Sequence, residues 1–293
     1  MDGVHHRLRR LFSFGRGILA LDTGPAELAA RFRAEALMPA ARADYLAMLL
    51  GTPGLSEHVS GVVLTPDVLE EQPGPAGLMV GVRADSGHER LTDDDRHRVT
   101  SGLDGLAARL TRSRDLGVGF AVWSTVAGPA GDPRGMHVLT ANGHAAARFA
   151  VLCHDLGLVP VIRVGTRITG DDRGWRSATV AAALLSVCGH LHDLDVDVSG
   201  VVICIEVGSA TEPLTVLPDD LGGVALIGET AGVEPQWPPS PPWPLTFYIG
   251  RQATRPALQA WRSSGSVGAG RDALLGCLAT AACGPRAVSG ARR

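Results

Sequence analysis

The side chains best placed for chemistry stand at the ends of apolar runs. Cys204 and Glu206 close the stretch Ser199-Gly200-Val201-Val202-Ile203-Cys204-Ile205-Glu206, whose β-branched run suits a strand buried on both faces. Asp22 ends Gly17-Ile18-Leu19-Ala20-Leu21-Asp22, Arg83 ends Leu78-Met79-Val80-Gly81-Val82-Arg83, and Arg163 ends a run over 158–163. Gly250 and Arg251 follow the short run Pro244-Leu245-Thr246-Phe247-Tyr248. A thiol beside an arginine can be a nucleophile or redox group, and a carboxylate can act as a general acid or base. Guanidinium forks bind phosphate or carboxylate, so Arg83, Arg163 and Arg251 together would make an anion site. Each has a plainer reading too. A buried free cysteine is usually inert, Asp22 can hydrogen-bond locally, and Arg163 can pair with Asp22 or Glu206.

What is missing limits the chemistry further. All 27 basic residues are arginine, and the chain contains no lysine. Guanidinium stays protonated and is a poor nucleophile, so no side-chain amine exists to form a Schiff base. The five cysteines, Cys153, Cys188, Cys204, Cys277 and Cys283, have no CxxC spacing. The nearest metal-like cluster, His190-Leu191-His192-Asp193, falls at an expected helix end, where exposed polar residues are ordinary. No metal or cofactor is expected. A net charge of −3 gives no bulk electrostatic case for nucleic acid or an anionic membrane. Reduced thiols, no secretory signal and no transmembrane-length run lead us to expect a cytoplasmic protein.

The elements that must position these residues alternate along the chain. Expected strands lie at 17–22, 61–64, 78–83, 120–123, 158–163, 199–206, 224–227 and 244–248, with helices between most of them. A hydrophobic fraction of 45% supports a sizeable core. Parallel strands alternating with helices predict a closed TIM (β/α)8 barrel, with catalytic residues at the strand ends. A doubly wound open sheet is the alternative, but no Gly-rich phosphate fingerprint follows the first strand. Two crossovers break the pattern. Between Cys204 and Val224 only 219–221 could turn helically, and Pro235 to Pro244 is too proline-rich for a helix. The helices after the sixth and seventh strands are therefore expected to be missing or shortened. That leaves the outer faces of the late strands poorly covered, as a partner surface would be.

From about Gly15 to Ala282 the sequence resembles the class I fructose-1,6-bisphosphate aldolases. The resemblance is carried by Gly15-Arg16-Gly17-Ile18-Leu19-Ala20-Leu21-Asp22 and by Thr52-Pro53-Gly54-Leu55-Ser56-Glu57-His58-Val59-Ser60-Gly61-Val62-Val63-Leu64. Further matches are Gly102 to Leu106, Asn142 with Arg148-Phe149-Ala150, and Gly157-Leu158-Val159-Pro160. Pro242-Trp243-Pro244-Leu245-Thr246-Phe247, Gly250-Arg251 and Pro256-Ala257-Leu258-Gln259-Ala260-Trp261 complete the series. It implies a single barrel domain over 1–293, with 1–14 an N-terminal extension and 284–293 a tail. It also implies a glycolytic carbon–carbon lyase and the family's homo-oligomer.

The resemblance implies a site that this sequence only partly retains. Cys204 stands where the family has its Schiff-base lysine. Val122 replaces a second lysine, just before the retained Trp123, and Ser124 replaces the arginine that follows. Arg163 stands for the acid–base glutamate, Gly165 for its neighbour, and Arg83 for a lysine on the third strand. The phosphate-binding Ser-Gly-Gly turn reads Gly228-Glu229-Thr230. Asp22 and the phosphate-contacting Arg251 remain.

Without an imine there is no electron sink for the carbanion left by C–C cleavage. Loss of the glutamate separately removes acid–base help of about 10²–10⁴-fold. Three readings follow: a pseudoenzyme that binds a phosphorylated sugar or a partner, an enzyme with altered chemistry at Cys204, or an aldolase as the resemblance implies.

Overall fold

The computed structural model describes residues 2–13, 15–34, 41–72, 74–129, 131–166, 173–206, 212–227 and 240–290. In chain order the strands are β1 (Gly17–Leu21), β2 (Val59–Leu64), β3 (Met79–Arg83), β4 (His88–Arg90) and β5 (Arg98–Thr100). β6 (Phe120–Ala127), β7 (Val159–Thr166), β8 (Val202–Glu206), β9 (Gly223–Ile227) and β10 (Leu245–Ile249) follow. β1, β2, β3, β6, β7, β8, β9 and β10 close a parallel barrel, as expected from the sequence. β4 and β5 form a separate antiparallel hairpin that the sequence reading did not anticipate.

The helices are α1 (Asp2–Leu11), α2 (Pro25–Ala34), α3 (Ala41–Leu50), α4 (Leu55–His58) and α5 (Pro66–Glu71). After them come α6 (Leu106–Asp115), α7 (Pro133–Asp155), α8 (Arg173–Asp193), α9 (Arg251–Ser264) and α10 (Val267–Gly290). α10 runs on through 284–290, which the resemblance implied to be part of a tail.

Strand alternation sorts the apolar residues into two cores. Inside the barrel lie Ile18, Val63, Phe120, Val161, Val202 and Cys204 with their neighbours. Between the strands and the outer helices lie Leu19, Val62, Trp123, Ile162, Ile203 and Leu226. In the interior, small residues face large ones. A Cβ at Gly81 would come within 2.3 Å of the Phe120 ring, and one at Gly223 within 2.3 Å of the Phe12 ring. These glycines make room for the aromatic rings that fill the lower barrel.

The stretch expected only as an extension forms α1, which plugs the bottom of the barrel. Val4, Leu8 and Leu11 join the interior core. The Ser60 hydroxyl donates to the Leu11 carbonyl at 2.5 Å, fixing the plug to β2.

Between β8 and β9 the described chain has only a 3-10 turn, Glu212–Val216, in keeping with a shortened crossover. The segment after β9, including Gly228, lies outside the described residues. The expectation of poorly covered late strands is corrected: Ile203, Ile205, Val224 and Leu226 are at most 1% exposed. Leu214, Leu217 and Leu221 pack into the same outer core, so an irregular crossover covers the strands as a helix would.

The hairpin is tied to the barrel by Asn142 of α7. Its amide nitrogen donates to the carbonyls of Arg98 and Val126, and its amide oxygen accepts from Thr100 N at 2.8 Å. Trp123 stacks on Phe149 with ring centroids 5.6 Å apart, anchoring β6 to the same helix.

Candidate active site

The C-terminal ends of the strands open into a cleft of about 310 Å³, where barrels of this kind carry their chemistry. Asp22, the residue after β1, is its hub. Its backbone carbonyl accepts from Arg83 Nη1 at 3.3 Å. Its carboxylate accepts from the Tyr248 hydroxyl at 3.3 Å and lies 3.6 Å from Arg163 Nη1.

The two strand-end arginines are held differently. Arg83 donates through Nε and Nη2 to Asp85 Oδ1 at 3.0 and 2.8 Å. Asp85 is buried and also accepts from Gly87 N and Ser124 N, so its charge is fully bonded. Burial alone would lower the Arg83 pKa, but Asp85 and then Asp22 hold it above the ordinary value. Arg163 has the long contact to Asp22 as its ion pair and no hydrogen bond to any described residue. Burial again opposes its charge, and the neighbouring Asp22 carboxylate acts against that loss. Of the two pairings open to Arg163, the structure shows the one with Asp22.

Cys204 is β8's register partner of Arg163, yet it is fully buried in the interior core. Burial pushes its thiol well up, against the opposing pull of Arg163. Among the described residues lining the cleft, Tyr248 is present and Cys204 is not. Burial, reinforced by Asp22, likewise raises the Tyr248 phenol, so it stays a neutral donor. Glu206 ends β8, half-buried.

Across the cleft, Gly250 caps α9 and its carbonyl accepts from Ala253 N and Thr254 N at 3.0 and 2.9 Å. Arg251 donates to Glu27 Oε1 at 2.5 Å, and Arg31 bonds the same oxygen at 2.8 Å. Asp22, Arg83, Arg163, Gly250 and Arg251, separated widely in sequence, thus share one cleft.

Sequence reasoning missed Asp85, Tyr248, Glu27 and Arg31. The signals were present: Asp85 stands two residues past Arg83, and Tyr248 two before Gly250, positions that share a strand face. His190 bonds its Nδ1 to the Ser186 carbonyl at 2.7 Å, and the described residues contain no group of three metal-ligating side chains.

The fold and the position of the cleft fit one family. The model of fructose-bisphosphate aldolase class-I matches residues 4–212. The chain belongs to the class I fructose-bisphosphate aldolase family. A probable fructose-bisphosphate aldolase class 1 of Xylella fastidiosa is 31% identical over 288 residues, covering 84% of this chain and 86% of that protein. The cytosolic fructose-bisphosphate aldolase 4 of Arabidopsis thaliana is 25% identical, covering 84% of this chain and 73% of that one. The fold is shared with the Plasmodium falciparum aldolase, solved in complex with TRAP and a small-molecule inhibitor. Its TM-score is 0.83 at 23% identity, covering 97% of this chain and 94% of that one.

Proposed function

We propose that this aldolase homologue binds a small phosphorylated sugar anion at its barrel mouth and forms no Schiff base with it. The observation that carries the reading is Cys204. It occupies the position the resemblance gives to the imine-forming lysine, it is buried out of the cleft, and no lysine exists elsewhere in the chain. The amine that would attack a ketose carbonyl has no substitute, because guanidinium is a poor nucleophile. The anion site rests on Arg251, Arg83 and Arg163, gathered in one cleft with Gly250 at the start of α9. Gly228 belongs to the same proposed site through the resemblance. Asp22 serves as an acceptor for the ligand's hydroxyls and orients Arg163.

Purified protein tests this directly. Fructose 1,6-bisphosphate should not be cleaved, while fructose 6-phosphate should raise the thermal midpoint, and Arg251→Ala should abolish that rise. Cleavage at a rate typical of enzymes, about 1–10³ s⁻¹, would sink the proposal.

A second reading, aldol cleavage as in the family, is favoured by family membership together with Asp22 and Arg251. It requires a route without a lysine imine and predicts turnover in that assay. Altered chemistry at Cys204 is the weaker reading, since the thiol is buried and its ionisation disfavoured.

We also infer a cytoplasmic protein that needs no metal or cofactor and self-associates as the family implies. The free cysteines Cys153, Cys188, Cys204 and Cys277 support the compartment. No helix among the described residues is long and apolar enough to cross a membrane.

A further inference from the structure

Outside the barrel a second cavity, of about 430 Å³, opens between α5 and α6 over the outer face of β3. α5 has only six residues, about 9 Å of helix, so it leaves part of that face without cover. Pro66, Leu69 and Glu70, at i, i+3 and i+4, form one wall. Leu106, Leu110 and Ser113 of α6 form the other, and Val82 and Ala84 make the floor. Leu69, Val82, Leu106 and Leu110 are at most 6% exposed, so the interior is apolar. It is also aliphatic, with no aromatic ring among its described lining residues. Its volume falls in the range of small-molecule sites.

Three guanidiniums line this groove and are held in different ways. Arg83 is committed to Asp85. Arg112 reaches across the opening to Glu70 at 3.5 Å, an exposed pair joining α6 to α5. Arg109 donates to the backbone carbonyls of Gly102, Asp104 and Ala84, and no carboxylate among the described residues pairs with it. Those bonds fix its charge in place and leave two of its five donors unused. From Arg109 the groove runs seven residues along α6, about 10 Å, to Leu116, which is 50% exposed. An aliphatic trough thus has an uncountered cation at one end and an exposed leucine at the other.

We propose that this groove binds a medium-chain aliphatic carboxylate, with its head on Arg109 and its chain along Leu106, Leu110 and Leu116. One uncountered guanidinium matches one negative charge, and Glu70 at the rim repels a dianion. Aliphatic walls with no ring to stack on suit a chain better than a flat ring system. The site lies apart from the barrel mouth and does not depend on the anion-binding reading above.

Titration calorimetry on the full chain tests the assignment with hexanoate, octanoate and decanoate, each below its micelle-forming concentration. Binding at one site should tighten about tenfold for every two methylenes added. 1-Octanol, which lacks the charge, should bind at least about tenfold more weakly than octanoate. Arg109→Gln keeps a donor for the backbone carbonyls and should weaken octanoate about tenfold or more, the loss expected of a hydrogen bond to a charged group. Ala108→Trp places a ring in the groove from an exposed position and should abolish binding while the fold, read by circular dichroism, is kept. Arg251→Ala should leave octanoate affinity unchanged. No binding of any chain length overturns the proposal, as does octanol binding as tightly as octanoate. So does octanoate affinity that survives Ala108→Trp, and affinity lost in Arg251→Ala would assign the carboxylate to the mouth instead.

Discussion

The Tyr248 hydroxyl donates to Asp22 Oδ2 across 3.3 Å, joining the eighth barrel strand to the end of the first at the floor of the mouth. Cys204 lies in the interior core and outside the cleft that Tyr248 lines. The native thiol should therefore resist iodoacetamide, and Cys204→Ser should leave sugar-phosphate binding unchanged. Peptide mapping after brief labelling reads the first and a thermal-shift titration the second. Rapid modification of Cys204 in the folded protein would revive the reading in which it reacts.

With the phosphate at Arg251, as proposed, Glu27 competes with the ligand. Its carboxylate bonds both Arg251 and Arg31 at the rim. Glu27→Gln frees the guanidiniums and removes a negative charge, so inorganic phosphate should bind about two- to fivefold more tightly. That is the range expected when an exposed ion pair is removed. Unchanged or weaker binding in calorimetry would place the phosphate elsewhere.

The same carboxylate makes a pH prediction. Burial tends to raise its pKa, but Arg31 and Arg251 outweigh that and hold it below the ordinary value of 4.5. A depressed carboxyl stabilises the fold above its unfolded pKa, and the contribution is lost as pH falls through the folded value. Wild type should thus be more stable than Glu27→Gln at neutral pH, with the difference shrinking below about 4.5. Urea titrations across that range measure it. A difference independent of pH would mean the pair carries no linkage.

Asn142 of α7 satisfies three backbone groups, two of the hairpin and one of β6. Asn142→Ala leaves them without partners in the interior, at a cost of about 2–4 kcal/mol. The thermal midpoint should drop, and amide exchange should quicken first over 88–100. A midpoint within error of wild type would show that water replaces the side chain without penalty.

The plug can be tested by volume. Leu11 is fully buried, so Leu11→Ala should cost about 2–5 kcal/mol of stability. Anion affinity should be unchanged at saturating folded fraction, because the plug and the mouth are at opposite ends of the barrel. A loss of affinity in the folded variant would show that the lower core positions the cleft.

The barrel was legible in the sequence because strands buried on both faces need unbroken apolar runs, such as Val201 to Ile205, bounded by glycines and charges. The hairpin was not, because its residues gain their order from polar bonds. Arg90 and Arg98 pair with Asp95, and Thr100 reaches across to Asn142. A charged stretch reads as a solvated loop until its partners are in place. The mouth was half legible. Asp22, Arg83, Arg163 and Arg251 announced themselves by charge at strand or helix ends. Tyr248 looked like one more apolar strand residue, and only strand parity turns its hydroxyl inward. The partner that neutralises Arg251 sits on α2, 224 residues away, a pairing that only the closed barrel creates. The expected gap over the late strands failed for a related reason: Leu214, Leu217 and Leu221 cover them from an irregular turn that helical periodicity does not detect.

The central claim, a class I aldolase fold without imine chemistry, is tested most directly by borohydride reduction in the presence of dihydroxyacetone phosphate, followed by peptide mass spectrometry. The account predicts no reduced adduct on any peptide from the barrel strands, together with no cleavage of fructose 1,6-bisphosphate. A stable adduct on a peptide of the mouth, accompanied by turnover, would contradict it.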